Sequence, residues 1–150
     1  MKTYLTAIDF SPITQKVIEE VVQLATATGA KLVILYVAEV PSLQVPIGYG
    51  MDVVTPPSPM EPPDLSPLQA RLEQIAEPIR DKGMTIETIA TIALLPADEI
   101  LIQAKRIKAS MLILGSHGHG ALFQCFGGSV VTSVLKKIAI PVMVIPVHEK

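Results

Sequence analysis

The residues with the clearest chemical potential lie between 115 and 131, in the stretch GSHGHGALFQCFGGSVV. The stretch holds five glycines and two histidines, follows the apolar run MLIL and leads into a segment with helical spacing. Glycine lets backbone N–H groups approach an anion without interference from a Cβ atom, and the first N–H groups of a helix are free to bind that anion. Ser129 can cap the helix or donate its hydroxyl to a phosphate oxygen. We therefore interpret this stretch as a phosphate-binding loop.

Two common glycine-rich phosphate loops do not fit this stretch. It is not a GxGxxG pattern after a first strand with an acid about 20 residues later, so a nicotinamide site is poorly supported. It contains no GK[ST], so no loop lysine is present to neutralise terminal phosphates, and Mg²⁺ would be the natural counter-charge for a triphosphate. An ordinary tight turn remains the simpler alternative.

Five short apolar segments are predicted to be the strands that position this loop. Solid apolar runs that alternate with helical patterns are typical of a parallel sheet covered by helices on both faces. We therefore predict a single doubly wound α/β domain over residues 1–150. Ligands of such sheets bind beyond the carboxyl ends of the strands, where the strand order reverses. The predicted strands are 3–9, 31–39, 84–92, 110–115 and 140–147.

Four helices are predicted from their start and stop signals. Ser11-Pro12 supplies an N-cap and a first-turn proline for the first helix. Ser66 and Gln69 have the spacing of a capping box at the start of the second. The third begins at Pro96 and the fourth near Ser129. Each helix therefore returns the chain to the start of the next strand.

Composition and charge exclude several classes of function. Hydrophobic residues make up 49% of the chain and charged residues 17%, as in a compact globular protein. The net charge of -2 gives no case for a nucleic-acid or anionic-membrane partner. The chain start lacks a signal-peptide pattern, and the single cysteine, Cys125, excludes an internal disulfide. We expect a cytoplasmic protein.

The sequence resembles the universal stress protein family along essentially its whole length. The nucleotide-binding branch of that family has Gly, two residues, Gly, nine residues, Gly, then Ser or Thr. Here that pattern is Gly115, Gly118 and Gly128-Ser129. The segments AIDFS (7–11) and ILYVAE (34–39) and the terminal PVMVIPV agree with the family. The resemblance implies a sheet of order 3-2-1-4-5, which brings Asp9 next to Gly115.

The resemblance also implies a site for ATP, ADP or AMP, with Mg²⁺ accompanying the nucleotide. Asp9 would lie by the ribose or the metal ion, and Phe10 could flank the base. Val37 would meet the adenine through its backbone amide and carbonyl groups. The residues expected to line the phosphates are Gly115, His117, Gly118, Gly128, Ser129 and Val130.

Several of these residues have simpler alternative roles. Asp9 precedes Ser-Pro and could serve only as a turn residue that caps the first helix. His117 and His119 form an HxH pair, but the sequence places no third ligand for a transition metal. Cys125, beside Phe126, fits buried packing better than redox chemistry.

The function expected from these features is a nucleotide-dependent regulatory or stress-response module with at most weak ATP hydrolysis. Only Asp9 and His117 are candidates to activate water, and all three arginines, Arg71, Arg80 and Arg106, lie on helices away from the glycine pattern. The alternatives are a nucleotide-free dimeric scaffold and a slow ATPase that acts with a partner.

Two further expectations concern the surface. The resemblance implies a homodimer formed through the last strand, with Val142, Val144 and Val147 at the contact. Residues 41–67 contain eight of the 13 prolines and no Lys or Arg. A proline-rich connection of this length is either a lid that covers the site or a loop without a role. Leu94 and Ser110 depart from the family pattern, at positions not expected to touch phosphate.

Overall fold

The described residues form five strands and four helices that alternate along the chain. The computed structural model describes residues 1–40, 61–116 and 127–147, with the backbone alone for 116 and 127–130. The elements are β1 (Thr3–Ile8), α1 (Thr14–Thr28), β2 (Lys31–Glu39), α2 (Ser66–Arg80), β3 (Ile86–Ala93), α3 (Pro96–Arg106), β4 (Met111–Ser116), α4 (Gly127–Lys137) and β5 (Val142–Pro146).

All strand pairs are parallel, and the strand order is β3-β2-β1-β4-β5. The predicted fold class and order are therefore confirmed. The central strand β1 pairs with β2 up to Ile8↔Tyr36 and with β4 up to Ala7↔Leu114. The chain leaves β1 and β4 side by side at the point where the order reverses, which is where this fold class binds ligands.

The two faces of the sheet carry two separate clusters of buried apolar residues. Helices α1 and α2 cover one face, and α3 and α4 cover the other. The strands β1, β2 and β4 contribute side chains to both clusters because successive side chains of a strand point to opposite faces. Fully buried members include Leu5, Val21, Leu32, Ile34, Leu72, Ile100, Leu112, Ile113 and Val134.

The first helix begins later than predicted. The residues Pro12 and Ile13 form a turn, and α1 starts at Thr14, whose N–H donates to the Ser11 carbonyl at 3.0 Å. Ser11 is therefore not the N-cap, and the residue at that position, Ile13, makes no side-chain capping bond. The Ser-Pro signal starts a turn that precedes the helix.

The second helix begins at Ser66 as predicted, but the prediction of a capping box is wrong. Leu65 holds the N-cap position without a side-chain bond, and the Asp64 carboxylate accepts the Ser66 N–H at 2.9 Å. Two hydrogen bonds from Ser66 lower the pKa of Asp64, and the one from the Ser66 side chain contributes more than the one from its backbone. Gln69 instead reaches β3, where its Oε1 atom accepts the N–H of Ala90 at 2.9 Å.

Within the described ranges, no helix combines the length and apolar character needed to cross a bilayer.

Candidate functional site

Asp9 lies one residue past the end of β1 and is held in a tight turn. Its Oδ1 atom accepts the backbone N–H of Ser11 at 2.9 Å and lies 3.5 Å from the Thr14 hydroxyl, which donates to it. The residue is half-buried. These contacts match the simpler role considered for Asp9, a turn residue before the first helix. Both of these bonds end on Oδ1.

Ser11 in the same turn has a buried polar atom without a partner. Its Oγ atom is shielded from solvent and has no hydrogen-bond partner among the described residues. A buried hydroxyl without a bond costs roughly 1–3 kcal/mol. Such atoms in native proteins call for an explanation such as a bound water, ion or ligand. Sequence reasoning did not single out Ser11 as a site residue.

Asp9 and Gly115 line one small cavity at the carboxyl edge of the sheet. The cavity has a volume of about 10 Å³, roughly the space of one water probe. The predicted proximity of Asp9 and Gly115 is therefore present in the fold. The cavity is lined by Ala7, Ile8, Asp9, Ile13, Thr14, Val17 and Gly115.

Gly115 is needed there for close packing between β4 and α1. A Cβ atom added to Gly115 would overlap Val17 Cγ2 and approach Ile13 Cδ1 to 3.3 Å. The sequence analysis expected glycines in this stretch to permit positive φ or close approach to an anion. Gly115 does not belong to the glycines with positive φ in the described chain, which are Gly29 and Gly83. Helix packing therefore already explains why a glycine stands at 115.

Phe10, next to Asp9, has a left-handed backbone with φ of 56°. This conformation costs an L-residue roughly 1–2 kcal/mol. The ring lies 4.6 Å from the Tyr36 ring between centroids, with the planes 39° apart, and the guanidinium carbon of Arg71 lies 4.1 Å from its centroid. An aromatic pair contributes about 0.5–1.5 kcal/mol and an exposed cation–π contact about 0.5–1 kcal/mol. The two contacts together are as large as the backbone strain.

As expected, Arg71 does not lie on the helix that follows the glycine pattern, but its side chain still reaches the site. It belongs to α2, and its side chain extends to the turn that follows β1. No periodicity or motif in the sequence signals this contact, because it depends on how α2 packs on the sheet. Arg71 and Tyr36 are therefore site neighbours that sequence reasoning missed.

Helix α2 is fixed against β3 by a cluster of polar side chains. The Glu73 carboxylate accepts a hydrogen bond from the Thr88 hydroxyl and pairs with Arg80 at 3.1 Å. The hydrogen bond from Thr88, with smaller contributions from Arg80 and Gln69, holds the pKa of Glu73 below its ordinary value. On the buried side, Leu72 and Ala76 are fully covered. The backbone that carries Arg71 is thus anchored on two sides.

Val37 lies where β2 extends past β1. It is one residue beyond the last β1–β2 register pair, Ile8↔Tyr36, and pairs with Thr91 of β3. Its side chain is half-buried and packs on the cluster beneath α3 and α4.

Helix α4 begins at Gly127, two residues before the predicted start, and includes Gly128, Ser129 and Val130. Since it connects the end of β4 to the start of β5, its amino end faces the same edge of the sheet as Asp9. His117 and Gly118 lie outside the described residues, as do His119, Cys125 and residues 41–60 of the proline-rich segment. In the part of the chain with described side chains, no three His, Cys, Asp or Glu residues form a metal-binding group.

Comparison with known proteins adds a family and several similar folds. The model of the universal stress protein family matches residues 1–146. Universal stress protein MJ0577 of Methanocaldococcus jannaschii is 32% identical over 75 residues, which cover 50% of this chain and 46% of that protein. The matched stretch thus spans about half the length of this relative.

Solved structures show the same fold at low identity. The MJ0577 structure has a TM-score of 0.71 at 22% identity and covers 99% of this chain and 98% of its own. A universal stress protein in complex with cAMP has a TM-score of 0.66 at 20% identity, covering 96% and 95%. The universal stress protein from Archaeoglobus fulgidus in complex with dAMP has a TM-score of 0.63 at 20% identity, covering 97% and 98%.

Proposed function

The chain belongs to the universal stress protein family, and we propose that it is a regulatory module that binds an adenine nucleotide at the carboxyl edge of its sheet, between β1 and β4. The observation that carries this proposal is the meeting of Asp9 and Gly115 at the carboxyl edge of the sheet, between the two strands where the strand order reverses. Helix α4 begins at Gly127, after β4 has ended at that edge. Free N–H groups at a helix start favour phosphate. Two similar folds that were solved with cAMP and dAMP support an adenine nucleotide as the ligand.

The site residues fit a nucleotide that carries Mg²⁺. Asp9 offers a half-buried carboxylate with both hydrogen bonds on one oxygen, and Mg²⁺ in nucleotide sites is held by one or two carboxylates together with phosphates. The unpartnered Ser11 Oγ atom adds a polar group in the same turn. We assign Asp9 to the ribose or the metal ion of a bound ATP, ADP or AMP.

The base and the phosphates would occupy opposite ends of this edge. Val37, beyond the end of β1, offers its backbone amide and carbonyl groups to adenine, with Phe10 at the flank. The phosphates would lie between the end of β4 and the start of α4. The proposed phosphate contacts are Gly115, His117, Gly118, Gly128, Ser129 and Val130.

We expect hydrolysis to be weak. Efficient phosphoryl transfer requires a group that positions water and a charge that stabilises the transferred phosphate. Asp9 and His117 are the candidates for the first role. Multiple turnovers of purified protein within minutes, lost in Asp9→Asn, would show instead that the chain is an enzyme in its own right.

The working unit proposed is a cytoplasmic homodimer formed through β5. This strand pairs with β4 on one side and is the last strand of the described sheet. Val144 is 40% exposed, and Val142 and Val147 are half-buried. Pro141 and Pro146 cannot donate ladder bonds, so they would limit the pairing to a short stretch.

Residues 41–67 are proposed as a lid within the single domain 1–150.

A nucleotide-free dimeric scaffold is the second candidate. It is favoured by the structural roles of Gly115, which lets α1 pack on β4, and of Asp9, which holds the turn before α1. Both residues would be retained for folding even in a protein that binds no nucleotide.

The nucleotide content of the purified protein decides between the two candidates. The protein is denatured, and the released compounds are identified by chromatography. An adenine nucleotide that is lost in Gly118→Val and Gly128→Val is the expected result. Wild-type protein that carries none and retains none after incubation with Mg-ATP supports the scaffold.

A further inference from the structure

We propose that Arg71 is a positioning residue of the nucleotide site: its guanidinium group, stacked on Phe10, holds the left-handed turn that aims the Asp9 carboxylate. This inference rests on the proposed nucleotide-binding function and adds to it a residue from α2. It also links the position of α2 to the geometry of the site.

Arg71 stacks on the ring of Phe10. The guanidinium carbon of Arg71 lies 4.1 Å from the centroid of the Phe10 ring, within the range of an attractive cation–π contact. Among the described residues, the guanidinium group has no carboxylate partner. Its principal described partner is therefore an aromatic ring.

Phe10 has a strained backbone conformation. A left-handed backbone is rare for a bulky residue and persists only where surrounding contacts hold it. Of the non-glycine residues in the described ranges, Phe10 shares this conformation only with Lys108. The ring of Phe10 contacts Arg71 and Tyr36 and packs on the apolar cluster beneath α1 and α2, and we infer that the Arg71 contact contributes to holding this backbone conformation.

The backbone of Phe10 determines the position of the Asp9 carboxylate. Phe10 lies between Asp9 and Ser11, and the hydrogen bond from the Ser11 N–H to the Asp9 carboxylate closes across it. If Phe10 relaxed to negative φ, the Ser11 N–H would turn away and the Asp9 carboxylate would lose its 2.9 Å bond. Arg71 thus acts on Asp9 through the backbone of Phe10.

The test combines nucleotide affinity with hydrogen exchange of the Ser11 amide. Arg71→Met keeps the length and helix propensity of the side chain but removes its charge. We expect it to weaken Mg-ATP binding by about two- to fivefold, the fold-change that corresponds to loss of one exposed cation–π contact. Ser11 should exchange faster while the amides of β1 do not. Arg71→Lys, which keeps a cation over the ring, should restore part of both. Arg106→Met, the same change on the exposed end of α3, should behave as wild type.

A second background separates positioning from direct contact with the nucleotide. Glycine adopts the left-handed conformation without strain, so Arg71→Met should cause no further loss of affinity in a Phe10→Gly protein. A loss of equal size in both backgrounds would mean that Arg71 contacts the nucleotide directly, and would overturn the proposal. Unchanged Ser11 exchange in Arg71→Met would also overturn it. Wild-type protein that binds no nucleotide refutes the proposed function instead, and Ser11 exchange then still decides whether Arg71 holds the turn.

Discussion

Replacing Gly115 with alanine tests the packing between β4 and α1. The new Cβ atom would overlap Val17 Cγ2 and meet Ile13 Cδ1 at 3.3 Å. Val17 and Ile13 are 2% and 5% exposed, so neither side chain can turn into solvent. Overpacking of this kind costs about 1–3 kcal/mol, and the stiffer unfolded chain of the alanine variant offsets roughly 0.4–1 kcal/mol. Because the overlap with Val17 is severe, the cost should lie in the upper part of that range, at about 2–3 kcal/mol. The net loss expected is then about 1–2.5 kcal/mol, or ~2–10 °C in Tm for a chain of this size.

Chemical denaturation of Gly115→Ala with and without Val17→Ala provides the assay. Val17→Ala removes the overlapping methyl group, so the cost of Gly115→Ala should nearly vanish in that background. Gly83→Ala is the control: its φ is 88° and no atom lies within 4 Å of the added Cβ, so its cost should be the same in both backgrounds. A Gly115→Ala protein as stable as wild type, or a cost that Val17→Ala leaves unchanged, would refute the packing explanation.

Three other predictions concern charge, metal binding and assembly. Because the pKa of Glu73 is lowered, its ionised form stabilises the fold above the ordinary value of 4.5, and this contribution is lost as the pH falls below it. Urea denaturation should therefore show Glu73→Gln less stable than wild type at neutral pH, with the difference shrinking in acid; a constant difference contradicts the assignment. Asp9→Asn keeps an oxygen for the Ser11 N–H but loses the charge, so calorimetry should show Mg-ATP binding weakened more than binding of metal-free AMP; equal effects would remove Asp9 from the metal site. Val144→Lys places a charge on β5, the last strand of the described sheet, and should yield monomers in sedimentation; an unchanged dimer would place the interface elsewhere.

The fold was predictable because its signals are local. Apolar runs and helix-breaking glycines repeat along the chain, and the strands found differ from those predicted by only one or two residues at their ends. The strand order came from the family resemblance and is confirmed. Buried parallel strands tolerate few residue types, so such patterns are legible in a single sequence.

The errors arise where tertiary contacts override local signals. Gln69 has the spacing of a capping box, yet its side chain bonds to β3, which is distant in sequence and adjacent in the fold. Ser11 resembles an N-cap, but the left-handed Phe10 directs the chain into a turn first. Neither outcome can be deduced without knowing which helix packs beside which strand.

The sequence predicted that Asp9 and Gly115 lie close together, but not the contacts that these residues and their neighbours make. Asp9 and Gly115 do line one cavity. The reason for Gly115, contact with Val17, and the approach of Arg71 to Phe10 both depend on helix packing that no motif encodes. Gly115, the first residue of the glycine pattern, is therefore required for helix packing whether or not the pattern binds a ligand.

Calorimetric titration of nucleotide-free protein with Mg-ATP measures whether the chain binds an adenine nucleotide. We expect saturable heat with one nucleotide bound per chain, abolished in Gly128→Val while that variant keeps the wild-type circular dichroism spectrum. Absence of binding heat at several temperatures, together with no shift of the unfolding temperature by Mg-ATP, ADP or AMP, would contradict the proposed function.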